Sequence, residues 1–404
     1  MNPKAAEERA LKCIRCGFCL EDCPTYVLTG LEADSPRGRI YLIREAIASG
    51  AWREGARDHL DRCLGCRACE TACPSGVEYG SLLEFARQRL VSEEPRTRDT
   101  IARLTLGILT KPSLFGPIAK FANALGLRRP PSWAQRALFG AIGVPRLPRP
   151  EKARGARSAR EEGGSGDQVL LLEGCVMGSL FQRTTEATIR LLERHGASVR
   201  LIQRRCCGAL HWHQGFEDDA RAMARALMED CQGDAPILTH SAGCGSAMKE
   251  YAALFAEEPE YAEKARQFAS RVRDVVEWIH ERGYRPPEQP LEKRVAYHAA
   301  CHLAHAQGIR SEPIELLQQV PGVRLVPLKE AERCCGSAGI YNLLEPQMAR
   351  QLLARKWSFV EESGADVVAT GNPGCLSWIR EAAEERGSAV RVVHTVEVLL
   401  GDVE

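Results

Sequence analysis

The distribution of apolar and polar residues divides the chain into a helical first part and a second part in which strands and helices alternate. In the segment "DSPRGRIYLIREAIASG", Ile40, Ile43 and Ile47 recur at helical spacing after a loop, and Asp34 or Ser35 is a candidate N-cap. The segment "SLLEFARQRLV" predicts another helix by the same criterion. The first part is therefore predicted to be mostly helical.

The second part begins near Gln168 and contains the same series of elements twice. Short apolar runs such as "VLLLEGC" and "VRLIQ" alternate with helical patterns, and "RVAYHAAC", "VRLVPL" and "ADVVATGNPGC" repeat the series. Three cysteine pairs are separated by 126, 128 and 131 residues: Cys175 and Cys301, Cys207 and Cys335, Cys244 and Cys375. We infer a duplicated α/β unit of about 130 residues with parallel strands, at residues 166–290 and 291–404.

The segment between the two parts, residues 96–165, is strongly basic. It holds 14 Lys or Arg between Arg96 and Arg160 against two acidic residues, and prolines are frequent. Two interpretations are open: a basic, Pro-rich connector with a solvated face, or a surface that docks on an anionic membrane or a partner. The second interpretation depends on apolar residues that alternate with the basic ones: Phe115, Ile118, Phe121, Leu125, Trp133, Leu138 and Phe139.

Composition changes this picture mainly through the cysteines. The chain has 404 residues and a formal net charge of +1, and no recognition module is apparent, so we expect no nucleic-acid partner. The beginning of the chain, "MNPKAAEERALKC", lacks the apolar core of a secretory signal, and no apolar run reaches the roughly 18 residues of a membrane span. The 17 cysteines fall in tight clusters, unlike a disulfide framework. We expect a cytoplasmic protein without a transmembrane segment.

Two cysteine motifs with the spacing C-x-x-C-x-x-C-x-x-x-C-P, "CIRCGFCLEDCP" and "CLGCRACETACP", lie in residues 1–95. In two-cluster ferredoxins with this spacing, three cysteines hold one [4Fe-4S] cluster and the fourth holds the neighbouring cluster. The predicted ligands are Cys13, Cys16, Cys19 and Cys73 for the first cluster, and Cys63, Cys66, Cys69 and Cys23 for the second. Structural zinc sites favour two separated pairs of ligands, so zinc is disfavoured. Two adjacent clusters indicate electron transfer.

Each repeat contains a Cys-Cys-Gly sequence within a set of four cysteines at predicted strand ends, where ligands collect in α/β sheets. The sets are Cys175, Cys206, Cys207 and Cys244 in the first repeat and Cys301, Cys334, Cys335 and Cys375 in the second. We predict a metal or redox role for both sets, the alternative being buried structural thiols. Cys231 has no counterpart and is interpreted as a core thiol.

Four histidines lie near these cysteines: His211, His213, His302 and His305. An imidazole can ligate iron, donate a hydrogen bond to a cluster sulfur, or donate a proton to a quinone. The alternative is polar packing against the strand ends. Among the four, His213 is the favoured candidate for a functional role.

With these motifs the chain resembles the iron–sulfur subunit of glycolate oxidase along essentially its whole length, including "RCGFCLEDCPTY", "HLDRCLGCRACETACPSGVEYGSLL", "CCGALHWH" and "CCGSAGIYNLLEPQMARQL". The resemblance implies an α+β multidomain protein: a mostly helical two-[4Fe-4S] ferredoxin-like domain followed by duplicated α/β cysteine-rich (CCG) domains with parallel strands. It also implies FAD-binding partner subunits that oxidise glycolate to glyoxylate. Electrons would pass through this chain towards a membrane quinone, at the inner face of the cytoplasmic membrane.

Relatives with the same cysteine-rich domains supply the alternatives: heterodisulfide reductase, and the iron–sulfur subunits of lactate or glycerol-3-phosphate dehydrogenases. In the heterodisulfide reductase type each domain ends in C-x-x-C and carries a non-cubane cluster. Here the final cysteine is replaced by Ala247 in the first repeat and by Trp378 in the second. Four thiolates per repeat suffice for one further iron–sulfur cluster in each domain, and the missing fifth cysteine disfavours disulfide reduction. No G-x-G-x-x-G flavin fingerprint follows a predicted strand, so the chain is not expected to oxidise glycolate alone.

Overall fold

The structure is a computed structural model that describes residues 1–126, 146–151 and 166–403. Three apolar residues of the predicted docking surface, Trp133, Leu138 and Phe139, lie outside the described residues. The described part of the chain consists of a helical region followed by two α/β units of the same design. This architecture confirms the predicted α+β class and the internal duplication.

Residues 1–95 are mostly helical, with loops between the helices; we call this part of the chain the helical domain. Its α-helices are Pro3–Leu11, Cys19–Asp22, Pro24–Thr29, Pro36–Ser49, Ala56–Asp61, Ala68–Thr71 and Tyr79–Glu93. The Ser35 hydroxyl accepts a hydrogen bond of 3.0 Å from the backbone N–H of Gly38, which makes Ser35 the N-cap of the predicted helix. Ile40 and Ile43 are buried in the core of this domain. Both helices predicted here are confirmed.

The described beginning of the basic segment consists of two helices, Thr97–Leu109 and Pro112–Ala124. Their inner faces pack against the repeats, and Phe115 is buried in the core that includes the second repeat. The expectation that Phe115 contributes to an exposed surface is therefore wrong: at the helical spacing of this segment Phe115 and Ala119 point inward. Phe121, by contrast, is 68% exposed.

The first repeat is a parallel sheet with the strand order β2-β1-β3-β4. The strands are β1 (Asp167–Leu172), β2 (Ala197–Ile202), β3 (Ile237–Thr239) and β4 (Val272–Asp274). Its α-helices are Cys175–Leu180, Gln182–Arg194, Ala209–Trp212, Glu217–Asp230, Ala242–Lys249, Tyr251–Leu254, Pro259–Arg271 and Val275–Arg282. Strand β1 is buried over its last four residues, as expected for a central strand covered on both faces.

The second repeat has the equivalent parallel order, β6-β5-β7-β8. The strands are β5 (Lys293–Tyr297), β6 (Val323–Val326), β7 (Val367–Thr370) and β8 (Arg391–His394). Its α-helices are Glu312–Gln318, Tyr341–Leu344, Pro346–Ser363, Pro373–Glu385 and Thr395–Leu400, and residues His302–Ala306 form a π-helical turn. The sequence pattern did not indicate β4 and β8, because each is only three or four residues long and leads directly into a helix.

In both sheets the strand order changes direction beside the first strand of the repeat. Strands β2 and β3 lie on opposite sides of β1, and the same arrangement surrounds β5. A crevice outside the carboxyl ends of the strands at such a switch point is the usual ligand site of an open α/β sheet. The chain segments that leave these strands carry the predicted cysteines.

The two repeats contact each other near the carboxyl ends of β3 and β7. The backbone N–H of Ala242 donates to the carbonyl of Gly371 at 3.0 Å, and the Asn372 side-chain oxygen accepts from the N–H of Gly243 at 3.2 Å. The helical domain lies against both repeats: Arg87 donates to the carbonyl of His213 at 2.7 Å, and Tyr341 donates to the carbonyl of Arg62 at 3.0 Å. The helical domain and the two repeats are therefore joined by direct hydrogen bonds.

Candidate iron–sulfur sites

The four cysteines predicted for the first cluster, Cys13, Cys16, Cys19 and Cys73, line one cavity at the surface of the helical domain; we call it the outer site. Cys16 is exposed and the other three are partly buried. Gly17 gives the loop a positive φ of 91°, which L side chains rarely adopt. The backbone N–H of Val77 lies 3.5 Å from the Cys73 sulfur and donates a hydrogen bond to it.

The four cysteines predicted for the second cluster, Cys23, Cys63, Cys66 and Cys69, form the inner site. All four are buried. Burial raises the pKa of Cys69 well above its ordinary value, and the neighbouring thiols of Cys66, Cys63 and Cys23 raise it further. The structure thus brings Cys23 of the first motif to three cysteines of the second, which is the exchange that the spacing predicted.

Two buried arginines compensate negative charge at the inner site. Burial would raise the pKa of Cys63, but the guanidinium groups of Arg39 and Arg87 lower it below its ordinary value. The Tyr79 hydroxyl and the Gly65 N–H also donate to the Cys63 sulfur, at 3.5 and 3.4 Å. Sequence analysis missed these groups, since a basic residue on a helix gives no sign of the thiol it will meet.

The inner site fits a metal cluster by the chemistry of its donors. Burial and neighbouring thiols raise the pKa of Cys66 and Cys69, so the buried thiols of this site ionise together only when a cation balances their charge. Metal binding supplies that cation and requires the thiolate form. Backbone and side-chain hydrogen bonds to sulfur are a further characteristic of iron–sulfur ligation.

The cysteines of the first repeat, Cys175, Cys206, Cys207 and Cys244, form the first-repeat site. The sulfur atoms of Cys175 and Cys206 are 3.6 Å apart, and the thiol of Cys207 interacts with those of Cys206 and Cys244. Gly208 follows the Cys-Cys pair with a φ of 79°, and a Cβ there would lie 2.9 Å from the Ala220 carbonyl oxygen. Only glycine allows this close approach of loop and helix.

The cysteines of the second repeat, Cys301, Cys334, Cys335 and Cys375, form the second-repeat site. Their thiols interact in the series Cys301–Cys334–Cys335–Cys375. Gly336 has a φ of 91°, and a Cβ there would lie 2.7 Å from the Ala349 carbonyl oxygen, as at the equivalent glycine of the first repeat. Each predicted set of four is therefore brought together by its fold.

The second-repeat site is next to the inner site. Cys66 lies in the same buried core as Cys301 and Cys334. Burial raises the pKa of Cys66, and the thiol of Cys301 raises it further. Cys66 belongs to a motif near the start of the chain, whereas Cys301 follows β5. The inner site and the second-repeat site are therefore neighbouring sulfur groups within one fold.

The four predicted histidines have different surroundings. His302 lies with Nδ1 3.5 Å from the Cys301 sulfur, and burial lowers its pKa to about 3. The ring of His213, the favoured candidate, is 5.3 Å from that of His302, and its Nδ1 is 2.9 Å from Glu84. His305 bonds to Thr71 at 2.9 Å. His302 is thus in direct contact with a candidate ligand.

His211 is the remaining histidine of the predicted group. It is buried, and burial lowers its pKa, whereas the nearby thiol of Cys206 raises it. Its ring packs edge-on against Phe216. Cys231 is buried in the apolar core of the first repeat, a core that also includes Cys207, and this agrees with its interpretation as a core thiol.

Two buried polar residues beside the second-repeat site were missed from the sequence. His298, directly after β5, places a ring nitrogen within 4.8 Å of the ligand atoms of Cys335 and Cys375. Lys356 donates to the carbonyl of Glu330; burial lowers its pKa to about 8, although the Cys335 thiol acts in the opposite direction. The position of His298 within "AYHAAC", three residues before a candidate ligand, was the available signal.

The arrangement of sulfur donors defines an iron–sulfur protein, and comparisons with known families agree. Residues 9–77 match the family described as "4Fe-4S dicluster domain", and residues 169–249 and 295–380 each match "Cysteine-rich domain". These matches confirm the predicted ferredoxin-like and cysteine-rich domains.

Individual relatives match over nearly the whole chain. The "Probable glycolate oxidase iron-sulfur subunit" of Bacillus subtilis is 33% identical over 98% of this chain and 94% of its own length. The "Glycolate oxidase iron-sulfur subunit" of Escherichia coli is 34% identical over 98% of this chain and 96% of its own length. "Lactate utilization protein A" of Bacillus licheniformis is 30% identical, over 57% of this chain and 98% of its own. The chain belongs to the family of glycolate oxidase iron–sulfur subunits.

Proposed function

We propose that this chain is the electron-transfer subunit of a glycolate-oxidising complex. In this proposal a FAD-binding partner oxidises glycolate to glyoxylate, and the chain carries the electrons towards a membrane quinone. The single observation that carries the proposal is the continuous series of sulfur groups from the exposed outer site, through the buried inner site, to the second-repeat site. The names of the two full-length relatives supply the substrate.

The proposed ligands are the cysteines that the structure groups together. The outer site (Cys13, Cys16, Cys19, Cys73) and the inner site (Cys63, Cys66, Cys69, Cys23) each hold one [4Fe-4S] cluster, and each cysteine-rich domain holds one further cluster. The domains are proposed to span residues 1–95, 166–290 and 291–404. Bound clusters supply reversible one-electron acceptance. The chain itself provides the thiolates, the hydrogen bonds to sulfur and the buried cations that favour the reduced state.

The outer site is partly exposed and the inner site is buried, and this difference in burial suits the two sites to different steps of electron transfer. The outer site opens to solvent beside Cys16, and Ile14 and Phe18 in the same loop are about two-thirds exposed. A redox partner can therefore approach this site closely. The four cysteines of the inner site are buried, although Cys69 also lines the outer cavity, and this site exchanges electrons with its neighbours inside the protein. The outer site is thus one end of the electron path.

Docking at the inner face of the membrane is proposed to involve the helices Thr97–Leu109 and Pro112–Ala124. Together they expose a run of large apolar side chains: Leu104, Ile108, Leu114, Ile118, Phe121 and Leu125. The segment that follows is rich in basic residues, and such a combination favours anionic lipid surfaces. None of the helices in the described ranges is long and apolar enough to cross a membrane. The test is binding of the protein to anionic vesicles. Weaker binding by F121S, with unchanged binding by the control W52S in the helical domain, would support this role.

The main experiment compares C66S with C231S in the assembled complex. Cys66 belongs to the inner site and lies beside the second-repeat site, whereas Cys231 is a buried thiol of the core. C66S is expected to lose one cluster and to stop the flow from glycolate to quinone while the partner flavin is still reduced; C231S is expected to retain the flow. If C66S also prevents flavin reduction, the chain does more than carry electrons.

Iron content tests the number of clusters independently. Anaerobically prepared chain is expected to contain about sixteen irons when all four sites are filled and about eight when only the dicluster domain is filled. The isolated chain is expected not to oxidise glycolate with an artificial acceptor. Activity of the chain alone would contradict its assignment as a carrier.

A second candidate substrate is lactate, which the partial match to a lactate utilization protein favours. The electron path would be unchanged, because the hydroxy acid is bound by the partner in either case. The same complex assayed with glycolate and with lactate decides between them.

A further inference from the structure

His298 is a fully buried histidine beside the cysteines of the second-repeat site. It follows β5 directly, and its backbone N–H donates to the carbonyl of Ala369 at 2.9 Å, which fixes its position. The side chain is fully buried, and neither ring nitrogen forms a hydrogen bond of normal geometry within the described chain; the backbone of Ala331 is near the ring. A buried polar group without a partner is costly, so a bound partner is expected.

The ring faces two of the four cysteines of the second-repeat site. One ring nitrogen and the sulfur atoms of Cys335 and Cys375 all lie within 4.8 Å of one another. Bonds from a metal ion to nitrogen and to sulfur are about 2.0–2.3 Å, so two atoms that bind the same ion lie no farther apart than about twice that length. The three atoms are near this limit, which places the His298 ring within reach of a metal that Cys335 and Cys375 also bind.

The first repeat provides an internal comparison. Leu172 lies three residues before Cys175, as His298 lies three residues before Cys301. Leu172 is buried at the end of β1 and belongs to the apolar core. The fold therefore accepts an aliphatic residue at this position, and packing alone does not require an imidazole.

We propose that His298 is a ligand of the metal centre in the second repeat, so that this centre has one imidazole nitrogen in addition to thiolates. The first repeat has Leu172 at the equivalent position, so its centre lacks this imidazole. This inference rests on the proposed function, in which each cysteine-rich domain holds an iron–sulfur cluster. A neutral imidazole adds no negative charge, and histidine ligation is known to raise the potential of iron–sulfur centres. The second-repeat centre would thus be the better electron acceptor of the two.

The test uses the full-length chain, prepared anaerobically, with isotopically labelled histidine. Pulsed EPR of the reduced protein is expected to show a strongly coupled histidine nitrogen. H298L, which introduces the residue type of the first repeat, is expected to abolish this coupling. H298C is expected to abolish the coupling, to retain the iron and to lower the midpoint potential of one centre. H305Q, at a histidine bonded to Thr71, serves as the control and is expected to retain the coupling.

The outcomes separate this proposal from the proposed function. A strong nitrogen coupling that persists in H298L, or only a weak coupling in the wild type, would show that His298 is not a ligand, even if electrons still flow from glycolate. An iron content of only about eight per chain would also overturn it, because the second repeat would then be empty. Loss of electron flow with the nitrogen coupling intact would instead count against the proposed function alone.

Discussion

The two cysteine-rich repeats share their framework and differ in what surrounds the cysteines. Both have the same strand order and a glycine with positive φ after the Cys-Cys pair. The second repeat adds His298 and Lys356 beside its cysteines. The first repeat has leucines at the corresponding positions, Leu172 and Leu227. Leu227 lies seven residues after Ala220, which contacts Gly208, and Lys356 lies seven residues after Ala349, which contacts Gly336. Duplication therefore preserved the donor geometry while the electrostatic environment diverged.

The position of each repeat relative to the helical domain increases this difference. The second-repeat site adjoins the inner site through Cys66 and Cys301. The strongest interactions of the Cys175 thiol are with Cys206 and Cys244 of its own set. We infer that the second repeat belongs to the main electron path and that the first has a more separate task. The following predictions test this division.

The largest difference is expected between C335S and C207S, which remove equivalent cysteines of the two repeats. Each variant is expected to lose the iron of one centre, because one thiolate is missing from a set of four. Only C335S is expected to abolish electron flow from glycolate to quinone, since Cys335 shares a buried core with Cys66 of the inner site. Iron analysis and steady-state quinone reduction by the complex provide the measurement. Equal loss of flow in both variants would mean that the repeats act in series.

The next effect concerns the buried cation. L227K places an ammonium group in the apolar core of the first repeat, and we expect it to reduce the free energy of unfolding by several kcal/mol. K356M removes the corresponding cation from the second repeat and is expected to lower the midpoint potential of one centre, because a nearby positive charge stabilises the reduced state. Anaerobic denaturation and redox titration measure the two effects. An unchanged midpoint potential in K356M would show that the charge of Lys356 does not contribute to the difference between the two repeats.

The smallest expected difference is between G336A and G208A. Each substitution forces a Cβ to within 3 Å of a helix carbonyl at a residue with positive φ. We expect both to reduce the free energy of unfolding by roughly 1–3 kcal/mol. Similar losses, measured by anaerobic denaturation, would show that the framework is equivalent in the two repeats. A large loss in one variant only would mean that the loops have diverged as well.

The sequence predicted the cysteine groups because motif spacing and the internal repeat are both readable along the chain. Cys23 joins three cysteines some forty or more residues away, and the two-cluster motif encodes that exchange. Arg39 and Lys356 were not predicted as neighbours of thiols, since their contacts arise only when distant helices pack. Strands β4 and β8 were missed because runs this short carry little periodicity.

The exposure of Cys16 has a practical consequence for handling the protein. Dioxygen and other oxidants can reach the outer cavity through the opening beside Cys16, which the proposed redox partner would cover. When the subunit is kept apart from the rest of its complex in air, bleaching should begin at this surface cluster and advance inward. Assembly of the complex would then also protect the protein from oxidation, because the bound partner subunit covers the cluster that is most accessible to oxygen.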